Sequence, residues 1–111
     1  MLTVYGIPNC DTIKKTLTWL KANKIDFQFH DYKKEGISRE KLENWLSQVE
    51  WNTLLNRAGT TFKQLSDAQK EAITDASSAL EVMLNSPSSI KRPVIEQNGK
   101  VVKVGWKPEG I

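Results

Sequence analysis

The sequence is poorest in the residues that cross-link and ligate: it has one cysteine, Cys10, and one histidine, His30, in 111 residues. A lone cysteine cannot close an internal disulfide, so no disulfide framework holds this fold. Secreted domains of this size more often carry paired cysteines, which makes a reducing, cytoplasmic compartment the expectation. One cysteine and one histidine also fall short of a zinc site, so no metal is expected. Long apolar runs are missing. No stretch approaches the ~20 residues of a membrane span. The opening MLTVYGIPNC lacks a basic segment followed by a long apolar one, so no signal peptide is expected. There is neither a G-x-x-x-x-G-K-[ST] nor a G-x-G-x-x-G phosphate loop, and the scattered carboxylates form no recognisable acid/base pair. Charge of one sign is scarce as well. The net charge is +3, and lysines alternate with acids in Lys33-Lys34-Glu35 and Arg39-Glu40-Lys41. That is a solvated mixed surface rather than a nucleic-acid patch, so no nucleic-acid partner is expected.

What is present reads as a small folded domain. Hydrophobic residues make up 39% of the chain, enough for a modest core. Leu2 to Tyr5 reads as a buried strand, stopped by Gly6 and Pro8. Asn9 is a plausible N-cap, and from Cys10 onward Ile13, Leu17 and Leu20 fall at helical spacing. Asn23 is the expected left-handed residue that closes this helix. Ile25, Phe27 and Phe29 then alternate with Asp26, Gln28 and His30 as a second strand, which places His30 on the strand surface. A β-loop-α-β run of this length fits two parallel strands joined by a crossover helix.

The middle is helical. Ser38 heads a segment in which Leu42, Trp45, Leu46 and Val49 share a face. A short turn through Thr53 and Leu55 follows, with a break at Ala58-Gly59. Ser66-Asp67-Ala68-Gln69 fits a capping box, and Asp75 is placed to cap a last helix carrying Leu80, Met83 and Leu84. Residues 38–86 therefore read as a helical insertion. The end returns to strands: Pro93 to Glu96, an Asn98-Gly99 turn, and Lys100 to Val104 make a hairpin. The order predicts an α/β fold with one mixed sheet, flanking helices and a helical subdomain at one edge.

Cys10 is the first candidate for chemistry. It lies where a strand turns into a helix, and the unpaired N–H groups and helix dipole there favour a negative sulfur. The thiolate is the nucleophilic form, and Lys14 one turn on adds positive charge. The plain alternative is an inert buried cysteine, which the loop context Gly-Ile-Pro-Asn-Cys argues against. Arg92-Pro93 is second: a proline at a strand start is tolerated, and an X–Pro bond at such a turn can be cis, exposing neighbouring backbone to a peptide-like ligand. Spacing alone favours an ordinary trans proline and a surface arginine. Arg57, in Leu55-Asn56-Arg57-Ala58-Gly59, reads by itself as a cation at a helix end, and Lys107 as a solvent-exposed lysine. The four tryptophans, Trp19, Trp45, Trp51 and Trp106, read as packing residues.

Taken together, Tyr5-Gly6-Ile7-Pro8-Asn9-Cys10-Asp11-Thr12, Asn56-Arg57 and Ile90-Lys91-Arg92-Pro93-Val94-Ile95 resemble the ArsC/Spx family, and within it the YffB-type branch. The resemblance spans essentially the whole chain. It implies a thioredoxin-like fold with a helical insertion at 38–86 in one domain over 1–111. Cys10 then matches the nucleophilic cysteine. Arg57 and Arg92 match two arginines that hold an oxyanion and stabilise the thiolate, Lys107 stands where arsenate reductases carry a third arginine, and Pro93 matches the cis-proline of thioredoxin folds. Asn9, beside the cysteine, joins the expected glutathione-binding set. Three departures count against arsenate as substrate: lysine at 107 lacks the planar fork of arginine, Gly6 stands where a histidine is frequent, and Asp11 puts a negative charge next to the nucleophile. Cys10-Asp11-Thr12-Ile13 also lacks the second cysteine of the Cys-x-x-Cys switch of Spx-type regulators, so a resolving thiol must come from outside.

The reading that follows is a glutathione-dependent thiol reductase with Cys10 as its single nucleophile. Glutathione is the co-substrate, glutaredoxin a further partner, and no cofactor is tightly bound. Two alternatives stand beside it, a glutathione/glutaredoxin-coupled arsenate reductase and an Spx-like regulator that binds RNA polymerase. A monomer is expected. A closing helix, if there is one, is either short or lies past Ile111.

Overall fold

The computed structural model describes residues 1–105. The chain divides into two compact units, Met1–Gly36 with the segment from Arg92 onward, and Ile37–Lys91.

The first unit is a four-stranded sheet with one long helix. The strands β1 (Leu2–Gly6), β2 (Phe27–Asp31), β3 (Val94–Gln97) and β4 (Lys100–Val104) lie in the order β2-β1-β3-β4. β1 runs parallel to β2 and antiparallel to β3, and β3 runs antiparallel to β4, which is the mixed sheet expected from the order of elements. Helix α1 (Asp11–Ala22) connects β1 to β2. One face of the sheet buries Leu2, Val4 and Ile95 with Leu20 of α1, and Leu17, Trp19, Ile25, Phe27 and Phe29 pack against that cluster. The period-2 strands and the period-3.6 helix thus present their apolar residues to one another.

The end of α1 differs from the sequence expectation. Asn23 keeps a negative φ, and Lys24 takes the left-handed conformation at φ 56°. The backbone N–H of Ile25 donates to the Leu20 carbonyl (3.0 Å) and that of Lys24 to the Lys21 carbonyl (3.1 Å), a Schellman closure. Asn23 serves instead through its side chain, donating from Nδ2 to the Trp19 carbonyl. The hairpin follows the sequence reading. Asn98 and Gly99 both have positive φ, 54° and 81°, as a two-residue turn between twisted strands requires. A register shift after Ile95 leaves Val102 unpaired, so β4 carries a bulge.

Gly6 ends β1 where the backbone meets the first turn of α1. A Cβ at this position would lie 2.8 Å from Cγ1 of the fully buried Ile13. Gly6→Ala is therefore expected to destabilise by about 1–3 kcal/mol through overpacking, read as a lower denaturant midpoint. A neutral result would mean that Ile13 moves aside freely.

In the second unit, α3 (Arg39–Leu46) packs on α7 (Ala76–Asn85), with α4 (Trp51–Leu54), α5 (Thr60–Lys63) and α6 (Asp67–Glu71) between them in the chain. Leu42, Trp45, Leu54, Leu55, Ala79, Leu80, Met83 and Ile90 are buried. The caps read from the sequence are present. Ser38 accepts from the Lys41 N–H, and Ser66 with Gln69 and Asp75 with Ser78 form reciprocal boxes. The unit runs past residue 86 because a 3-10 turn, Pro87–Ser89, leads into a bridge between Leu55 and Ile90. That bridge is flanked by bonds from the Asn56 N–H to the Ser89 carbonyl and from the Lys91 N–H to the Leu54 carbonyl, both 2.7 Å. The Thr61 and Ser88 hydroxyls, 2.7 Å apart, tie α5 to the same turn.

Candidate active site

Topology gathers several of the expected residues at one end of the sheet. β1 and β2 end there together, at Gly6 and Asp31. β3 starts there, because Val94 pairs with Tyr5, and β4 ends there, because Val104 pairs with Val94. Cys10 leaves from the end of β1, and Arg92 and Pro93 lead into β3. The Gly105 N–H, just past β4, donates to the Pro93 carbonyl at 2.8 Å. The Arg92–Pro93 bond is cis. Lys107 lies outside the described residues. Arg57 belongs to the second unit, where its guanidinium carbon sits 5.0 Å from the centre of the Trp51 ring.

The local structure at Cys10 departs from the expected cap by one residue. Cys10 itself is the N-cap of α1, in extended conformation (φ −102°, ψ 127°), and Asn9 sits in the exposed turn before it. The reason is the turn Ile7-Pro8-Asn9-Cys10, closed by the Cys10 N–H donating to the Ile7 carbonyl at 3.3 Å. The Cys10 carbonyl then accepts the first helical bond, from the Lys14 N–H at 3.0 Å. No side-chain hydrogen bond caps the helix, so its first-turn N–H groups, which have no partner within the helix, are left without a side-chain cap at the residue that carries the sulfur. Cys10 is a free, half-exposed thiol. Among the described residues no group of three or more His, Cys, Asp or Glu side chains gathers as metal ligands would.

The second face of the sheet carries a polar cluster that the sequence reading missed. The Tyr5 hydroxyl donates to Glu96 Oε1 at 2.7 Å in a buried bond. His30 is not a free surface residue: its ring lies 4.6 Å from that of Tyr5 and 5.8 Å from that of Tyr32. Its Nε2 is 2.7 Å from the Gly36 carbonyl, an acceptor only, so the ring proton is carried on that nitrogen. The Glu35 carboxylate stands 3.6 Å from Nδ1. Tyr32 opens a short helix, α2 (Tyr32–Glu35), capped by Asp31. Its hydroxyl is buried and has no hydrogen-bond partner among the described residues. Strand alternation could have marked Tyr5, His30 and Glu96 as co-facial, but only the β1–β2 and β1–β3 registers make them neighbours.

Both tyrosines of the chain are held in their protonated form. Burial, then the hydrogen bond to Glu96, then the charges of Glu96 and Glu35 raise Tyr5 above its ordinary 10.0. Burial and Tyr5 raise Tyr32, the nearby Arg92 charge opposes, and Glu96 adds to the rise. A folded state that keeps its protons longer than the unfolded chain has this stabilisation in full below the unfolded value. It loses it as pH climbs from there toward the folded value. Tyrosinate absorbance is therefore expected to stay flat through about pH 10 in the native protein and to appear only together with unfolding. In denaturant both residues should titrate normally. A native titration with an ordinary midpoint would contradict the burial of this face.

Residues 5–111 match the family model described as ArsC family. This chain belongs to the ArsC family. The solved structure of the YFFB protein is 52% identical to this ArsC-family chain and superimposes with a TM-score of 0.90, over 97% of this chain and 93% of that one. An arsenate reductase (ArsC) related protein from Brucella melitensis is 53% identical, with a TM-score of 0.80 over 96% and 88% of the two chains. The regulatory protein MgsR of Bacillus subtilis is 32% identical over 96% of this chain and 84% of its own. The thioredoxin-like ArsC-family fold expected from the sequence is thereby established. The family match takes in Cys10, Arg57, Arg92 and Pro93, and the chains similar to this one include both an arsenate reductase (ArsC) related protein and a regulatory protein. No helix among the described residues is long and apolar enough to cross a membrane.

Proposed function

We propose that the protein is a cytoplasmic, glutathione-dependent thiol reductase. The observation that carries this reading is Cys10: the only cysteine, free and half-exposed, forming the N-cap of a 12-residue helix whose N-terminal amides have no side-chain capping bond. A thiolate there is stabilised by those amides and by the helix dipole. It attacks one sulfur of a mixed disulfide R–S–S–G to give Cys10–S–S–G and release R–S⁻. A glutathione thiolate then attacks the adduct, freeing Cys10 and leaving oxidised glutathione. Arg92 and Pro93 at the same end of the sheet, with Asn9 in the turn before the cysteine, are assigned to binding the anionic ligand, and Arg57 and Lys107 join that set as the residues that match the family's ligand-binding arginines. The direct test is intact mass after incubation with oxidised glutathione near neutral pH. One glutathione adduct on the wild type supports the reading, and a wild type that takes up none defeats it.

Two other readings have their own support. Similarity to an arsenate reductase (ArsC) related protein favours arsenate as the electrophile. Arsenate-dependent NADPH oxidation through glutathione reductase and glutaredoxin tests that. Similarity to MgsR over nearly the whole chain favours a regulator. Capture of RNA polymerase by immobilised Cys10→Ser protein would support that role.

A further inference from the structure

The second unit contains a recess of about 290 Å³ lined by Arg57, Phe62, Lys70 and Ile73. Both charged residues in its lining are cations, and no carboxylate lines it. Arg57 rests on the Trp51 ring at 5.0 Å, and the Lys70 ammonium stands 5.7 Å from the centre of the Phe62 ring. Among the described residues neither cation has an ion-pair partner. Every residue involved lies within Ile37–Lys91, so the recess belongs to one compact unit.

An aromatic face holds a cation in place but does not neutralise it. Two held, uncompensated cations in one concavity repel each other and attract an anion. The planar arginine fork suits two-point contact with a carboxylate, and the lysine adds a point charge beside it. Phe62 and Ile73 offer apolar walls for the methylene stem of such a ligand.

We propose that this recess is a carboxylate-binding subsite for glutathione, with Lys70 as a binding residue alongside Arg57. This assignment of the ligand rests on the thiol reductase reading. Lys70 sits in the five-residue α6, which showed no periodicity in the sequence, and only the fold brings it beside Arg57.

The test separates binding from chemistry. Cys10→Ser protein is titrated with S-methylglutathione, which cannot exchange disulfides, and backbone amide shifts are followed. Shifts at Arg57, Phe62, Lys70 and Ile73 are expected. Lys70→Gln should weaken binding about tenfold, the loss of one charge-assisted contact. Lys70→Arg should recover most of it, added salt should weaken it, and the dimethyl ester of the ligand, which lacks both carboxylates, should not bind. Unchanged affinity in Lys70→Gln, silence at those four amides, or no binding at all overturns the proposal. If wild-type Cys10 takes up glutathione but S-methylglutathione leaves those four amides unmoved, the subsite falls while the reductase reading stands. If S-methylglutathione binds through Lys70 but wild-type Cys10 forms no adduct, the reductase reading falls and the recess stands as a carboxylate site.

Discussion

Cys10→Ser is expected to lose glutathione uptake completely, because the chain has no second thiol to substitute for the first. Serine matches the shape of cysteine, but at neutral pH its hydroxyl is not ionised and forms no disulfide. In the wild type a single adduct should form and should be released quantitatively by excess reduced glutathione. The same thiol should react with an alkylating agent faster than a free cysteine in a peptide. Arg92→Gln should slow that reaction roughly fivefold, corresponding to the loss of about 1 kcal/mol of charge–charge stabilisation at a partly solvated site. Rates of modification by mass spectrometry, compared across the three proteins, check both expectations. An Arg92→Gln protein that reacts as fast as wild type would remove Arg92 from the site. A wild-type thiol no faster than a peptide cysteine would mean that the helix start does not activate it.

Trp45→Ala should produce the largest loss of stability of any single substitution considered, about 3–5 kcal/mol. Trp45 is the largest of the fully buried side chains and lies on α3, which packs on α7 beside Leu42, Leu80 and Met83. Deleting it removes transfer energy and leaves a void that the short helices of Ile37–Lys91 cannot readily close. Trp45→Phe should cost less, since most of the volume remains. Urea denaturation followed by far-ultraviolet dichroism measures both, and a loss under about 1 kcal/mol would mean that the helices collapse into the space. The consequence reaches the chemistry, because Arg57 and Lys70 are carried by the same unit.

The parts of this molecule legible in the sequence are those governed by local physics. The alternation in β1, the Asn98-Gly99 turn, and the caps at Ser38, Ser66 and Asp75 each state a backbone requirement within a few residues. Cys10 was legible as the residue at a strand-to-helix turn, although its role as the cap itself, in place of Asn9, depends on how Ile7-Pro8-Asn9-Cys10 closes. The left-handed position fell on Lys24 rather than Asn23 because Leu20 and Ile25 had to meet across the helix end. The four-residue helices Tyr32–Glu35 and Thr60–Lys63 are too short to show a period. The cluster of Tyr5, His30, Tyr32 and Glu96 was invisible for another reason. It is polar, so hydrophobic patterning does not mark it, and the Tyr5–Glu96 bond spans 91 positions of the chain.

That separation bears on how the protein is made. β1 is synthesised long before β3, yet β3 is one of its two neighbours in the sheet. A growing chain therefore carries Cys10 out of the ribosome long before Arg92 and the strand it leads into exist. Through most of translation the thiol is present without the arginine and without half of the hydrogen-bonding partners of its supporting strand. Closing so long a loop is an entropically late event. Truncated or stalled products lacking β3 and β4 are consequently expected to expose an unsupported cysteine and an open strand edge, and to be substrates for quality control rather than weak versions of the finished protein.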